Sequence, residues 1–311
     1  TIVNVYSTTK TMAAVCMLML ADRGLIDFDA PVARYWPEFA QNGKEDVLVR
    51  HVMSHSAGLS GFDTPIKIEE LYNWDDVCSR LAHQAPWWEP GTASGYHAIT
   101  QGYLQGEILR RVDGRSLGTF FREEIATPLD VDFHIGLEAQ HDDRVGEMVP
   151  PAATLGQTPG DPNSVATRTF RSAALTGLEP QTRAWRAAEI PAAGGIGNAR
   201  AVARVHGALA AGGALDGVRL MAPATVAMAQ QQQTNGKDLV LGAWMLFGMG
   251  FGLMNPRNPF TPSPGAFYWG GWGGSIAVVD PDTRTSIAYV MNRMGESTLG
   301  DQRSVGIIEA T

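Results

Sequence analysis

From Ser7 to about Asp22 the chain places apolar residues on every face of a helix. Gly24 supplies the stop, so the pattern predicts a helix buried all round. A turn-rich connection, "LIDFDAPVARYWPEF", follows, and "VLVRHVMSHSAGLSGFD" predicts a short helix running into a Gly/Ser loop. Helical periodicity returns around Trp74–His83, Tyr96–Arg111 and Leu117–Ile125. From about 140 to 190 the chain is rich in Thr, Pro, Ala and Gly, which predicts a long irregular excursion of the kind that forms a lid or binding loop. "NARAVARVHGALAAGG" predicts a helix closed by glycine, and Pro223–Gln232 a shorter one.

After that the period changes. "MGFGLM", "GAFYWGG", "SIAVVD" and "TSIAYVMNR" are short apolar runs, the last two joined by Asp280-Pro281-Asp282-Thr283, the residues of a tight turn. They predict consecutive antiparallel strands before a terminal helix. The opening "TIVNVYS" reads as the end of a strand. Helices first and an antiparallel sheet afterwards make an α+β fold. We expect one unit over 1–311 with two lobes: a mainly helical lobe from about 7 to 190 and an α/β lobe from about 191 to 311.

With 311 residues, 44% of them hydrophobic, the chain can bury a substantial core. The net charge of −8 comes without any basic cluster, which argues against a nucleic-acid partner. The longest apolar stretch, Met12 to Ala21, falls short of the about 20 residues a membrane-spanning helix needs. The two cysteines, Cys16 and Cys78, read as buried free thiols rather than a disulfide. No CxxC or HExxH is present, so no metal or other cofactor is expected. Compartment and oligomeric state are not legible.

Candidate chemistry centres on "YSTTK". On a helix, Ser7 and Lys10 stand about one turn apart on the same side. A serine hydroxyl becomes a nucleophile when a base takes its proton. A lysine serves as that base when burial depresses its pKa, and the apolar run beside Lys10 supplies the burial. Four lysines and fourteen serines in 311 positions give about 0.2 chance SxxK matches. The competing reading is a capping serine with a snorkelling lysine.

Four further segments bear on the choice: "HVMSHSAGL", "GYHAITQGYLQGEILRRV", "IPAAGGIGNARAVARVHGAL" and "WGGWGGSIAVVDPDTRTSIAYVMNRM". In content and order, with "YSTTK", they resemble the serine β-lactamase and penicillin-binding superfamily, closest to its class C-like esterases, the family VIII carboxylesterases. The resemblance runs along nearly the whole chain and is weakest between about 140 and 190. It implies a β-lactamase-like fold, an antiparallel sheet flanked by helices plus a helical lobe. That sheet takes strands from both chain ends, so its N-terminal part is expected to be absent here and its edge exposed.

The resemblance puts the nucleophile on Ser7, its base on Lys10, and a second proton-handling group on Tyr96. A phenol beside a lysine ammonium is expected to ionise readily. The third motif falls on Trp269-Gly270-Gly271, and the oxyanion donors on the backbone N–H groups of Ser7 and Trp272. Trp269, Gly270, Gly271 and Trp272 are the expected substrate-binding residues, with His97 lining the site. Trp87, Trp88, Trp244 and Phe247 are further candidates for a pocket wall.

Two departures matter. Trp269 stands where β-lactamases carry a lysine, and Ala98 where an asparagine is expected two places after Tyr96. Both disfavour β-lactams and favour a neutral ester. The expected function is therefore a serine carboxylesterase acting on a small-molecule ester. A β-lactamase or D-Ala-peptide hydrolase, an acyltransferase and a non-catalytic binding relative are the alternatives. Gly58-Leu59-Ser60-Gly61-Phe62 lacks the second glycine of a GxSxG elbow, and His55 reads as a structural histidine.

Overall fold

The computed structural model describes residues 1–152, 161–257, 261 and 263–310. Strand β1 (Val3–Asn4) leads through a 3₁₀ turn at Tyr6–Thr8 into helix α1 (Thr9–Asp22). Helices α2 (Val49–Met53), α3 (Trp74–His83), α4 (Thr100–Asp113) and α5 (Leu117–Phe121) follow, then strand β2 (Phe133–Ile135). Helices α6 (Val165–Ser172) and α7 (Arg183–Ala187) precede β3 (Gly195–Gly197) and α8 (Ala199–Ala210). A small hairpin of β4 (Ala214–Leu215) and β5 (Val218–Arg219) leads to α9 (Pro223–Ala229). Strands β6 (Thr234–Lys237), β7 (Trp244–Phe247), β8 (Gly252–Leu253), β9 (Phe267–Gly270), β10 (Ile276–Asp280) and β11 (Thr285–Tyr289) come next, and α10 (Gln302–Glu309) closes the chain.

The architecture is α+β. The last six strands form one antiparallel sheet in the order β11-β10-β9-β8-β7-β6, with α8 packed on β10 and β11. The expected hairpin is β10–β11, in register from Asp280↔Thr285 to Ile276↔Tyr289. At its tip Asp280 Oδ1 accepts the N–H groups of Asp282 and Thr283, which explains the Asp-Pro-Asp-Thr turn. Cys16 and Cys78 are buried free thiols. Among the described residues no helix is long and apolar enough to cross a membrane.

Helix α1 is buried from Thr9 to Leu20 and packs against α4, α5 and α9. Its Ala, Met and Leu residues favour a helix and fill space on all sides. This burial carries Lys10 inside, since the ridge continues past its position with no polar face to turn it outward. A second sheet, β1-β3-β2, pairs Val3 with Gly197 and Phe133 with Gly197, which locks the residues just before Ser7. Asn4 completes the lock: its amide donates to Ala193 O and its oxygen accepts the Trp185 indole N–H.

Three expectations need correction. The helix predicted from Tyr96 begins only at Thr100. The N–H groups of Gly95, Tyr96 and His97 bond outside the segment, to His55 O, Asp238 Oδ1 and His55 Nδ1, which holds 95–97 as a loop. The excursion from 140 to 190 contains α6 and α7; its residues 153–160 lie outside the described residues. Strand β6 carried no signal, because "TNGK" is a partly exposed edge strand without an apolar residue, and the apolar "WMLF" of β7 was passed over.

Candidate active site

Ser7 sits in the 3₁₀ turn just before α1 rather than inside the helix, half-buried at the wall of a cleft. Tyr6 beside it is held at φ 44°, a left-handed conformation that a non-glycine residue adopts only under constraint from its surroundings. Ser275 supplies part of that constraint: its hydroxyl donates to Val5 O (2.7 Å) and lies 2.9 Å from Thr8 Oγ1.

The structure brings Ser7, Lys10 and Tyr96 together. Lys10 Nζ lies 3.3 Å from Ser7 Oγ, and the Tyr96 hydroxyl donates to the same oxygen at 2.5 Å. Lys10 Nζ also donates to Ala98 O (2.6 Å) and Ala192 O (2.9 Å). Burial holds the Lys10 pKa well below its ordinary value, so the amine is favoured in its neutral form. In that form the amine has two hydrogens, which the two carbonyls can accept, and one lone pair that can face Ser7 Oγ.

The expectation of a phenolate is reversed. Burial pushes the Tyr96 phenol up, outweighing the hydrogen bond to Ser7 that lowers it. The phenol is favoured with its proton on, and it donates that proton to Ser7 Oγ.

Strand β9 ends against Ser7. A side chain on Gly271 would stand 2.2 Å from Val5 O, 2.5 Å from Ser275 Oγ and 3.0 Å from the Ser7 nitrogen. Only glycine allows that approach. In the following turn the Gly271 N–H bonds to Ser275 O, Gly273 N–H to Ser297 O and Gly274 N–H to Gly271 O. Among the described residues, neither the Ser7 nor the Trp272 N–H donates to any turn, loop or cap carbonyl. The Arg303 guanidinium steadies this turn by donating to Gly273 O.

The cleft holds roughly 570 Å³ of empty space, open solvent at its mouth included, and Tyr6, Phe62, Ile99, Phe170, Leu175 and Trp272 form its apolar walls. None of its described lining residues is charged. Trp272 stands on this wall with its ring edge-on to Tyr6 at 5.3 Å.

Other expected wall residues lie elsewhere. Trp269 is 1% exposed and packs on Tyr96, His55 and Phe247 behind the cleft; its buried indole N–H faces the phenol without reaching hydrogen-bond geometry. Gly270 packs against the backbone of Leu299 and Gly300. Trp244 is on the surface, and the Trp87 and Trp88 indoles donate to Asp63 and Ala93 O.

His97 does not line the cleft, contrary to expectation. It is fully buried, with Nε2 accepting the Leu59 N–H and Nδ1 bonded to Gly95 O. Ser60 does reach the cleft wall, but its hydroxyl is bonded to Thr169 Oγ1 at 2.7 Å.

The family profile described as Beta-lactamase matches residues 1–310. The chain belongs to the Beta-lactamase family. It is 37% identical over 310 residues to "Esterase/beta-lactamase LipL" of Mycobacterium tuberculosis, covering 93% of this chain and 69% of that protein. The crystal structure of a family VIII carboxylesterase superposes with a TM-score of 0.93 at 43% identity, over 100% of this chain and 82% of the other. A penicillin-binding protein homolog from Caulobacter crescentus gives a TM-score of 0.92 at 43% identity, with the same coverage. The fold is the β-lactamase-like α+β fold.

Several groups in this Beta-lactamase family site escaped the sequence reading. The carbonyls of Ala98 and Ala192 have no side-chain signature. Ser275 and Asp238 sit in segments whose pattern reads only as turn and strand, so no signal marked them.

Proposed function

We propose that this chain is a serine carboxylesterase that hydrolyses neutral esters of short to medium acyl chains through an acyl-enzyme on Ser7. The observation that carries the reading is the arrangement around Ser7 Oγ: the buried Lys10 amine, bonded to two carbonyls, on one side and a donating phenol on the other.

In the first step Ser7 Oγ attacks the ester carbonyl carbon while its proton passes to Lys10 Nζ. The carbonyl oxygen takes the negative charge and receives the backbone N–H groups of Ser7 and Trp272. The bond to the alcohol oxygen then breaks. That oxygen takes the Tyr96 proton, and Tyr96 recovers one from the Lys10 ammonium, whose nitrogen lies 4.8 Å from the phenol ring centre. Water entering where the alcohol left repeats the sequence: it gives a proton to Lys10, its oxygen bonds to the acyl carbon, and Ser7 leaves with its proton restored. An alcohol or amine in place of water would make the same site an acyltransferase.

The absence of charge among the described lining residues of the cleft supports a neutral substrate. A carboxylate bound without a cation forgoes a charge-assisted hydrogen bond of about 1.5–3 kcal/mol. At about 1.4 kcal/mol per tenfold, that weakens binding roughly ten- to a hundredfold. The relative named as both esterase and β-lactamase keeps lactam hydrolysis as the second reading.

Purified protein assayed with p-nitrophenyl esters of graded chain length and a chromogenic cephalosporin separates the two. The expected result is a higher kcat/KM for butyrate than for the cephalosporin. The reverse order would replace the esterase reading with the lactamase one.

A further inference from the structure

Asp238 lies between β6 and β7, 142 residues after Tyr96, and only 1% of it is exposed. Its Oδ1 accepts three N–H groups: Tyr96 (3.0 Å), Val240 (2.9 Å) and Leu241 (2.8 Å). The last two are the local bonds of an ordinary Asp turn. The first reaches across the chain to the residue whose hydroxyl touches Ser7. The same hairpin tip bonds once more to this loop, through Leu239 N–H to Ser94 O, and packs Val240 and Leu241 against Tyr96 and Trp269. Asp238 Oδ2 is buried with no partner among the described residues.

That last fact needs a reason. An asparagine oxygen would accept the same three N–H groups without the cost of burying a charge. Tyr96 is where the charge acts. Among the described residues, the titratable groups facing Tyr96 are Lys10 on α1, His55 after α2, and Asp238. Burial disfavours the charged form of both Lys10 and His55.

We propose that Asp238 is a positioning residue for the reaction: it fixes the main chain of Tyr96 and holds the Tyr96 hydroxyl as a proton donor to Ser7. This rests on the reading of Ser7, Lys10 and Tyr96 as the reacting groups. The bond to the Tyr96 N–H sets where the phenol stands, and the negative potential opposes loss of its proton, in line with the upward influence of Asp238 on the phenol.

The two parts of the role separate in two variants of the full chain, measured by ester hydrolysis against pH. Asp238→Asn keeps the reach and removes the charge. It should lower kcat about tenfold with little change in KM, and move the alkaline loss of kcat to lower pH, because the phenol then ionises more easily. Asp238→Glu keeps the charge and displaces the oxygen, so kcat should fall while the alkaline limb stays closer to the wild-type position. Neither change should cost further activity in a Tyr96→Phe background, since both act through that hydroxyl.

A folded Asp238→Asn protein with wild-type kcat and pH profile would overturn the proposal. So would an equal loss with and without Tyr96 Oη, which would mark Asp238 as a general support of the hairpin. If Asp238→Asn does not fold, Asp238→Glu decides through the same double-variant comparison. Absence of ester hydrolysis in the wild type is a different failure: it removes the esterase reading and this inference with it.

Discussion

Lys10→Met is expected to lower kcat by about 10²- to 10⁴-fold, the usual contribution of a positioned proton acceptor, with KM changed by less than about twofold. Methionine keeps an unbranched apolar stem in the core of α1, so the variant tests the amine rather than the packing. What disappears is the lone pair 3.3 Å from Ser7 Oγ. The substrate gains nothing from Lys10 before the proton moves, which is why the loss falls on turnover. The pH dependence has a definite sign. The Lys10 pKa is depressed by burial, so the competent neutral amine is present above that value and is lost as pH falls through it. The wild type should show this acid limb in kcat/KM, and the residual activity of Lys10→Met should not. Near-wild-type turnover in the variant would remove Lys10 from the reaction.

Tyr96→Phe is expected to cost about 10²- to 10⁴-fold in kcat as well, for a different reason. The phenol donates to Ser7 Oγ in the resting site, so once Ser7 has attacked, its proton stands next to the carbon from which the alcohol oxygen leaves. Phenylalanine retains the ring that packs on Trp269 and His55 and forfeits only the hydroxyl. Esters with a good leaving group such as p-nitrophenolate need less protonation than alkyl esters. The variant should therefore lose more on a methyl or ethyl ester than on a p-nitrophenyl ester. Equal losses on both would place the effect elsewhere than in leaving-group protonation.

Side chains and spacing were the legible half of this site. The lysine of SxxK, on a helix buried all round, carried its own electrostatic consequence, because no exposed face existed to which Lys10 could turn. Gly271 belongs to the motif that the resemblance assigned to substrate binding, and the structure brings it against the Ser7 nitrogen.

Main-chain partners were not legible. Ala98 O and Ala192 O engage the lysine hydrogens, and a carbonyl leaves no mark on the residue type. The phenolate expectation failed for a different reason: it weighed the neighbouring lysine and left out the burial of the phenol itself, which raises it. His97 misled because adjacency to Tyr96 in a loop says nothing about direction; its ring turns inward to the Leu59 N–H. The wall aromatics were misplaced for a related reason. A tryptophan beside a glycine pair can face either side of its strand, and Trp269 faces the interior while Trp272, in the turn, faces the cleft.

The central claim is that Ser7 carries the acyl group, and covalent labelling tests it most directly. After incubation with a fluorophosphonate, mass spectrometry of the digested protein should find the adduct on the peptide containing Ser7, with labelling abolished in Ser7→Ala. An adduct on Ser60 or Ser172, the other described serines at the cleft wall, each with a bonded partner of its own, would contradict the account, as would labelling that persists unchanged in Ser7→Ala.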